Sequence, residues 1–241
     1  MSFLIIQVSL ILSVLLGGLI VTYLKSQQKA QTIKLTLAFS GGFLLAIIFQ
    51  HLLPDLYQHD FHQAGIYILV GFMVQLILEY FSGGIEHGHT HSLAGNRVPM
   101  TLFVALSIHS VIEGFPLGTA HGGHIVHEGH NHESLFWGIV FHQVPVSIAL
   151  MSLFVNSTMG LLKSWVFLMI FALTTPLGAI MGTQINLEEL GLNVHIILAV
   201  VVGMFLHIST TIIFETSENH RVNLLKLICI LFGAGLAMLF S

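Results

Sequence analysis

Imidazole and carboxylate side chains sit inside long apolar stretches of this sequence, at spacings that suit a divalent cation. In His109-Ser110-Val111-Ile112-Glu113-Gly114, His109 and Glu113 stand four residues apart and share one face of a helix. His142-Gln143-Val144-Pro145 adds a second imidazole, an amide, and a proline whose missing N–H frees the carbonyl of Phe141. Such a carbonyl is tolerated at membrane depth where it lines a cavity. Further histidines occur in Met204-Phe205-Leu206-His207 and in Gln50-His51-Leu52-Leu53-Pro54-Asp55. Neutral imidazole with carboxylate suits Zn²⁺, Fe²⁺, Mn²⁺, Co²⁺ or Cd²⁺, whereas all-oxygen cages suit Mg²⁺ or Ca²⁺. Several histidines around one acidic residue favour Zn²⁺ among these. A single buried histidine is more often a hydrogen-bonded core residue, and His207 taken alone has that status. For His109, Glu113 and His142 the balance turns to ligation, because ionisable groups inside a membrane span are functional by default.

The elements that hold these residues must be membrane spans. Only 7% of the 241 residues are charged and 55% are hydrophobic, too few charges to cover a soluble globule of this size. A span takes about 20 apolar residues, and that ruler finds eight. They run over approximately 2–24, 34–53, 64–82, 99–119, 135–155, 163–184, 194–214 and 222–240. The expectation is an all-α, polytopic membrane protein, an eight-helix bundle forming a single transmembrane domain over 1–241. Met1 to Leu24 reads as a retained span, since it lacks a positive leading region and a clear cleavage site. Cys229 is the one cysteine, which leaves no disulfide framework and no CxxC site. Seven Lys and Arg residues argue against a nucleic-acid partner.

The charges test the count of spans. Lys25, Lys29, Lys34, Arg97, Lys163, Arg221 and Lys226 all fall at the first, third, fifth and seventh connections. The second, fourth and sixth hold Asp55, Asp60, Glu128, Glu133, Glu188 and Glu189 instead. The positive-inside rule then puts the basic connections in the cytoplasm and both termini outside. At about 1.5 Å per residue, His109 lies about 15 Å from the cytoplasmic start of its helix and His142 about 11 Å from the outer start of its own. In a hydrocarbon core about 30 Å thick they share a layer. His207 is expected nearer the cytoplasm and His51 nearer the outside.

Two connections are rich in histidine. Glu86-His87-Gly88-His89-Thr90-His91 lies in the cytoplasmic loop at about 83–98. His121, His124, His127, His130 and His132 lie in the outer loop at about 120–134. Alternating histidine in glycine-rich loops reads as weak, exchangeable metal capture, separate from the site within the membrane.

In this order the motifs resemble the ZIP (Zrt/Irt-like protein) family of metal transporters, over essentially the whole chain. Gly41-Gly42-Phe43-Leu44 leading to His51-Leu52-Leu53-Pro54-Asp55 is similar to the second helix of that family, and His109 to Gly114 to its fourth. His142-Gln143-Val144-Pro145, Thr175-Pro176-Leu177-Gly178 and Gly203-Met204-Phe205-Leu206 resemble the fifth, sixth and seventh. The resemblance implies movement of Zn²⁺ or a related divalent ion toward the cytoplasm, with no prosthetic group. It implicates His109, Ser110, Glu113, His142, Gln143 and His51, and the depth estimate adds His207 on the flank of the path. Many members carry acidic residues after the fifth-helix histidine, where this chain has Gln143, Val146 and Ser147. The expected site therefore holds one metal on His109, Glu113 and His142, with His51 or Gln143 completing the shell. The partners expected are the metal ion and the lipid bilayer, with a homodimer allowed, in a bacterial inner (plasma) membrane. The competing reading is a membrane-embedded zinc hydrolase in which Glu113 activates water, against which stands the absence of an HExxH pair. A haem-binding electron carrier ranks last, since a Glu four residues from the ligand is poor company for haem.

Overall fold

The computed structural model describes residues 1–23, 30–58, 63–82, 100–119, 131–185, 187, 189, 193–215 and 224–240. The expected cytoplasmic histidine loop at 83–98, residues 120–130 of the expected outer loop, and Lys25, Lys29, Arg97 and Arg221 lie outside the described residues. Residues 131–134, assigned to that outer loop from sequence, already belong to a helix.

Among the described residues every regular element is helical. With no water to satisfy it, backbone in hydrocarbon must bond to itself, and a helix does so within one segment. In chain order the elements are α1 (Phe3–Tyr23), α2 (Ala30–Ile47), a π turn (Ile48–Leu52), α3 (Leu53–Gln58), α4 (Ala64–Ser82), α5 (Met100–Thr119), α6 (Asn131–Val155), α7 (Gly160–Ala172), α8 (Thr174–Gln184), α9 (Val194–Glu215) and α10 (Leu224–Ala237). The α2–π–α3 run forms one rod and α7–α8 another, which gives seven rods long and apolar enough to cross a bilayer. The eighth, α10, has only 14 residues and is extended by a 3-10 turn, Met238–Phe240. Together these measure about 27 Å, close to the hydrocarbon thickness of about 30 Å.

Prolines explain the irregularities. The second rod continues past Leu53, where the sequence suggested an end. Pro54 cannot donate to the Gln50 carbonyl, and the chain widens into a π turn in which the Leu53 N–H reaches the Ile48 carbonyl. Pro176 likewise leaves the Ala172 carbonyl without its i+4 donor. The fold answers with a break at Leu173, whose N–H bonds to the Ile170 carbonyl at 3.2 Å. Gly160 opens α7 at φ +73, with no atom within 4 Å of a Cβ placed there. It is glycine for its backbone conformation and not for space.

The closest pairings are α5 with α8, α1 with α6, α4 with α9 and α2 with α10, and the rods can be taken as two groups, α1 with α5–α8 and α2 with α4, α9 and α10, which meet each other along α2–α6 and α4–α5. Within each group, glycines let backbones touch. On α5 and α8, Gly114-x-x-x-Gly118 meets Gly178-x-x-x-Gly182; a Cβ on Gly118 would stand 1.8 Å from the Ala179 carbonyl oxygen, and one on Gly178 2.0 Å from that of Val111. α4 and α9 meet in the same way at Gly71 and Gly203, α2 and α10 at Gly42 and Gly233, and α1 and α6 at Gly17. Between the groups, Gly138 of α6 has Leu44 and Ile47 of α2 at an ordinary 3.6 Å. Aliphatic side chains and aromatic rings share that seam, with Phe43 and Phe141 at 4.7 Å between centroids.

Because neighbouring rods run antiparallel, the core has two distinct ends. One buried cluster joins the first halves of α1 and α6 to the later half of α2 (Ile6, Leu10, Phe136, Ile139, Ile47, Leu52). It fills the end where α1 begins. At the opposite end a cavity lies between α2, α5, α6 and α9, lined by Leu37, Leu106, Val146, Leu150, Ile208 and Ile212. His142 forms its inner polar wall.

Candidate metal centre

His109 and Glu113 lie about 14 and 20 Å along α5, and His142 about 17 Å along α6. All three sit near the middle of their rods. They are buried, with exposures of 2%, 1% and 3% respectively. One ligand atom from each lies within 4.8 Å of the others, the group among the described residues that could hold a metal ion. His109 Nε2 and Glu113 Oε2 are 3.1 Å apart. The two imidazole rings stand edge to face at 6.1 Å, and the Phe205 ring of α9 closes over both at 6.2 and 6.3 Å.

Ligand atoms at about 2.0–2.1 Å from a tetrahedral Zn²⁺ stand about 3.3 Å from one another. The His109–Glu113 pair already meets that spacing. The third atom needs to approach by at most about 1.5 Å, the difference between 4.8 Å and the tetrahedral spacing.

A buried carboxylate is costly unless it is hydrogen-bonded. Glu113 is supported on its far side. Gln143 donates from Nε2 to Glu113 Oε1 at 3.1 Å and also to the Thr175 hydroxyl. Thr175 in turn donates to Glu113 Oε1 at 3.3 Å. The Gln143 carbonyl oxygen accepts from Ser13 of α1 at 2.9 Å. Behind His142, the Ser40 hydroxyl of α2 lies 3.3 Å from Nδ1. This is a polar contact across the seam between the two groups.

The remaining sequence candidates fall elsewhere. Ser110 is buried beside His109 at 2% exposure, outside the close group. Gln143 is next to the group, but its amide engages Glu113, Thr175 and Ser13. His51 lies within the π turn with its Nε2 buried, outside that close group. His207 bonds through Nε2 to Glu79 of α4 and packs edge-on against Phe72 at 4.7 Å. That pair ties α4 to α9 and stands apart from the metal-ligating group.

Sequence reasoning passed over four residues here. Thr175 appeared only inside a motif, and Ser13 and Ser40 are ordinary hydroxyls in apolar helices. Glu79 carried the same signal as Glu113, a lone carboxylate within a span. Lys226, assigned to the seventh connection from sequence, lies on α10 at 5% exposure and donates to the Ile213 carbonyl at 2.5 Å. It satisfies one of the last-turn carbonyls of α9.

Comparison with known proteins follows the same lines. The sequence model of the family described as "ZIP Zinc transporter" matches residues 82–241. The chain is 25% identical over 222 residues to "Zinc transporter ZIP3" of Bos taurus, covering 67% of this chain and 69% of that protein. It is 24% identical over 199 residues to "Probable zinc transporter 12" of Arabidopsis thaliana, covering 58% of this chain and about half, 54%, of that protein.

Proposed function

The chain belongs to the ZIP zinc transporter family, a transporter of metal ions and not an enzyme, and from that premise we propose that it carries Zn²⁺ toward the cytoplasm through a site at mid-membrane. One observation carries the reading: His109, Glu113 and His142 converge from α5 and α6, buried, halfway along both helices. In this reading two imidazoles and one carboxylate hold the ion, and water takes the fourth position, which keeps it exchangeable. Fe²⁺, Mn²⁺, Co²⁺ and Cd²⁺ are accepted by the same donor set.

The direction rests on charge and on the cavity. Lys34 near the start of α2, Lys163 near that of α7 and Lys226 near that of α10 mark the end that the positive-inside rule assigns to the cytoplasm. The apolar cavity below His142, about 20 Å³, lies at that end among the buried side chains of Leu37, Leu102, Leu150 and Ile212, while the cluster around Phe136 and Ile47 fills the other. This arrangement supports a conformer occluded from both sides, with a gap in packing beside the site on the cytoplasmic side. Both termini are then outside, and the eight rods act as one transmembrane domain.

Alternating access follows from the two groups. The ligands and the residues that hold Glu113 belong to α1, α5, α6 and α8; glycine contacts lock α5 to α8 and α1 to α6, and the Gln143 amide joins the two pairs through Thr175 and Ser13. The seam against α2, α4 and α9 includes aromatic contacts at Phe43, Phe141 and Phe205 and the Ser40–His142 contact, and in this reading the site-bearing group shifts against the other along it. The test is ⁶⁵Zn uptake into proteoliposomes: uptake by the intact protein and its loss in Glu113→Ala are expected. No uptake of any divalent ion by the intact protein would overturn the reading.

A further inference from the structure

We propose that Gln143 is a positioning residue which, with Thr175 and Ser13 behind it, sets how Glu113 meets the ion and restricts the centre to a single metal. The proposal rests on the metal-binding reading of His109, Glu113 and His142, and deepens it.

The orientation of the Gln143 amide is set by its neighbours. An ionised carboxylate only accepts hydrogen bonds, so the atom of Gln143 at 3.1 Å from Glu113 Oε1 must be the nitrogen. The oxygen then faces the Ser13 hydroxyl at 2.9 Å, a donor it shares with the Leu10 carbonyl at 2.7 Å. All of this is buried: Gln143 is 2% exposed, Thr175 1% and Ser13 5%. With both ends of its amide engaged, Gln143 has no reason to turn its oxygen to a metal, and the expectation that it completes the shell gives way.

Two donors, the Gln143 amide and the Thr175 hydroxyl, converge on Glu113 Oε1. They hold the carboxyl plane and direct the other oxygen, Oε2, at His109. A second cation would need Oε1 to bridge, and the N–H of Gln143 stands where that cation would sit. An uncharged donor thus takes the place of a second ion. Three elements build it: α6 supplies the amide, α8 the hydroxyl beside the helix break before Pro176, and α1 the anchoring serine.

The consequence is a defined change of stoichiometry. In Gln143→Glu, a second carboxylate would lie against Glu113, and two like charges at that distance need a cation or a proton between them. With Thr175 alongside, the oxygens form a second metal site. Zinc per chain is measured by elemental analysis after equilibrium dialysis of the intact protein in detergent, with affinity from competition against a chromophoric chelator. Counting only zinc that withstands a chelator strong enough to clear the weak histidine-rich loops, wild type is expected to hold one and Gln143→Glu two, while Gln143→Ala and Thr175→Val hold one with affinity about 10–100-fold weaker. Thr175→Ser, which keeps the hydroxyl, is expected to restore wild-type affinity. One zinc in Gln143→Glu, or unchanged affinity in both Gln143→Ala and Thr175→Val, overturns the proposal, and the latter two variants decide it if Gln143→Glu does not fold. Failure of the underlying reading looks different: wild type itself binds no zinc, or its zinc survives in His109→Ala.

Discussion

Replacing Gly114 with alanine tests at once how the fold is locked and how the site is held. A Cβ at this position on α5 would stand 2.2 Å from the backbone oxygen of Thr175 on α8. The neighbour is backbone and cannot rotate away, so the helices must part by about 1.2 Å to reach ordinary van der Waals distance. Overpacking of this kind costs about 1–3 kcal/mol. The same separation acts on the hydrogen bond from Thr175 to Glu113, 3.3 Å in the native arrangement, and takes it beyond bonding distance. Gly138→Ala is the control, because its nearest neighbours, on Leu44 and Ile47, are at 3.6 Å. Both substitutions gain about 1 kcal/mol of helix propensity, so the difference between them reports packing. Thermal unfolding in detergent should place Gly114→Ala about 2–12 °C below Gly138→Ala for a domain of this size. Zinc affinity should fall about 10–100-fold in Gly114→Ala, the loss typical when a metal ligand loses its supporting hydrogen bond, and hold in Gly138→Ala. Equal unfolding temperatures and equal affinities for the two variants would refute both the close α5–α8 packing and its role in positioning Glu113.

Other perturbations separate the remaining parts of the account. Glu79→Ala leaves His207 buried without its carboxylate. It should lower stability by about 1–3 kcal/mol, with the double variant Glu79→Ala/His207→Phe losing less than the sum of the singles in a double-mutant cycle; both should keep wild-type zinc stoichiometry. Val146→Trp overfills the cavity of about 20 Å³ below His142 and should block zinc uptake more than it weakens zinc binding in detergent. Deleting Glu86–His91 should change apparent metal affinity or regulation and leave transport intact, and complete loss of uptake on that deletion would refute the loop's role as a collector or sensor.

Much of the architecture was legible in sequence because the bilayer simplifies the code. Apolar runs near 20 residues become helices, and His109 and Glu113 share a face wherever α5 goes. What could not be read is which helix packs on which. Gly114, Gly118, Gly178 and Gly182 announce close contacts, but nothing local says that α5 pairs with α8 or that α1 joins them. The support of Glu113 was hidden for the same reason. Serine in an apolar helix commonly bonds back to its own turn, as Ser13 does to the Leu10 carbonyl, so its second contact with Gln143 leaves no sequence trace. The second rod outran its expected end because a π turn absorbed Pro54 and did not stop there. Glu79 was legible in principle. A carboxylate within a span calls for a buried partner, and His207 was the candidate at its depth.

The central claim is that His109, Glu113 and His142 bind the transported ion together, and X-ray absorption at the zinc edge of the loaded protein tests it most directly. The account predicts two imidazole nitrogens and oxygen ligands at about 2.0–2.1 Å, with one imidazole lost from the spectrum in His109→Ala and one lost in His142→Ala. A wild-type spectrum without imidazole scattering, or one that neither substitution alters, would contradict it.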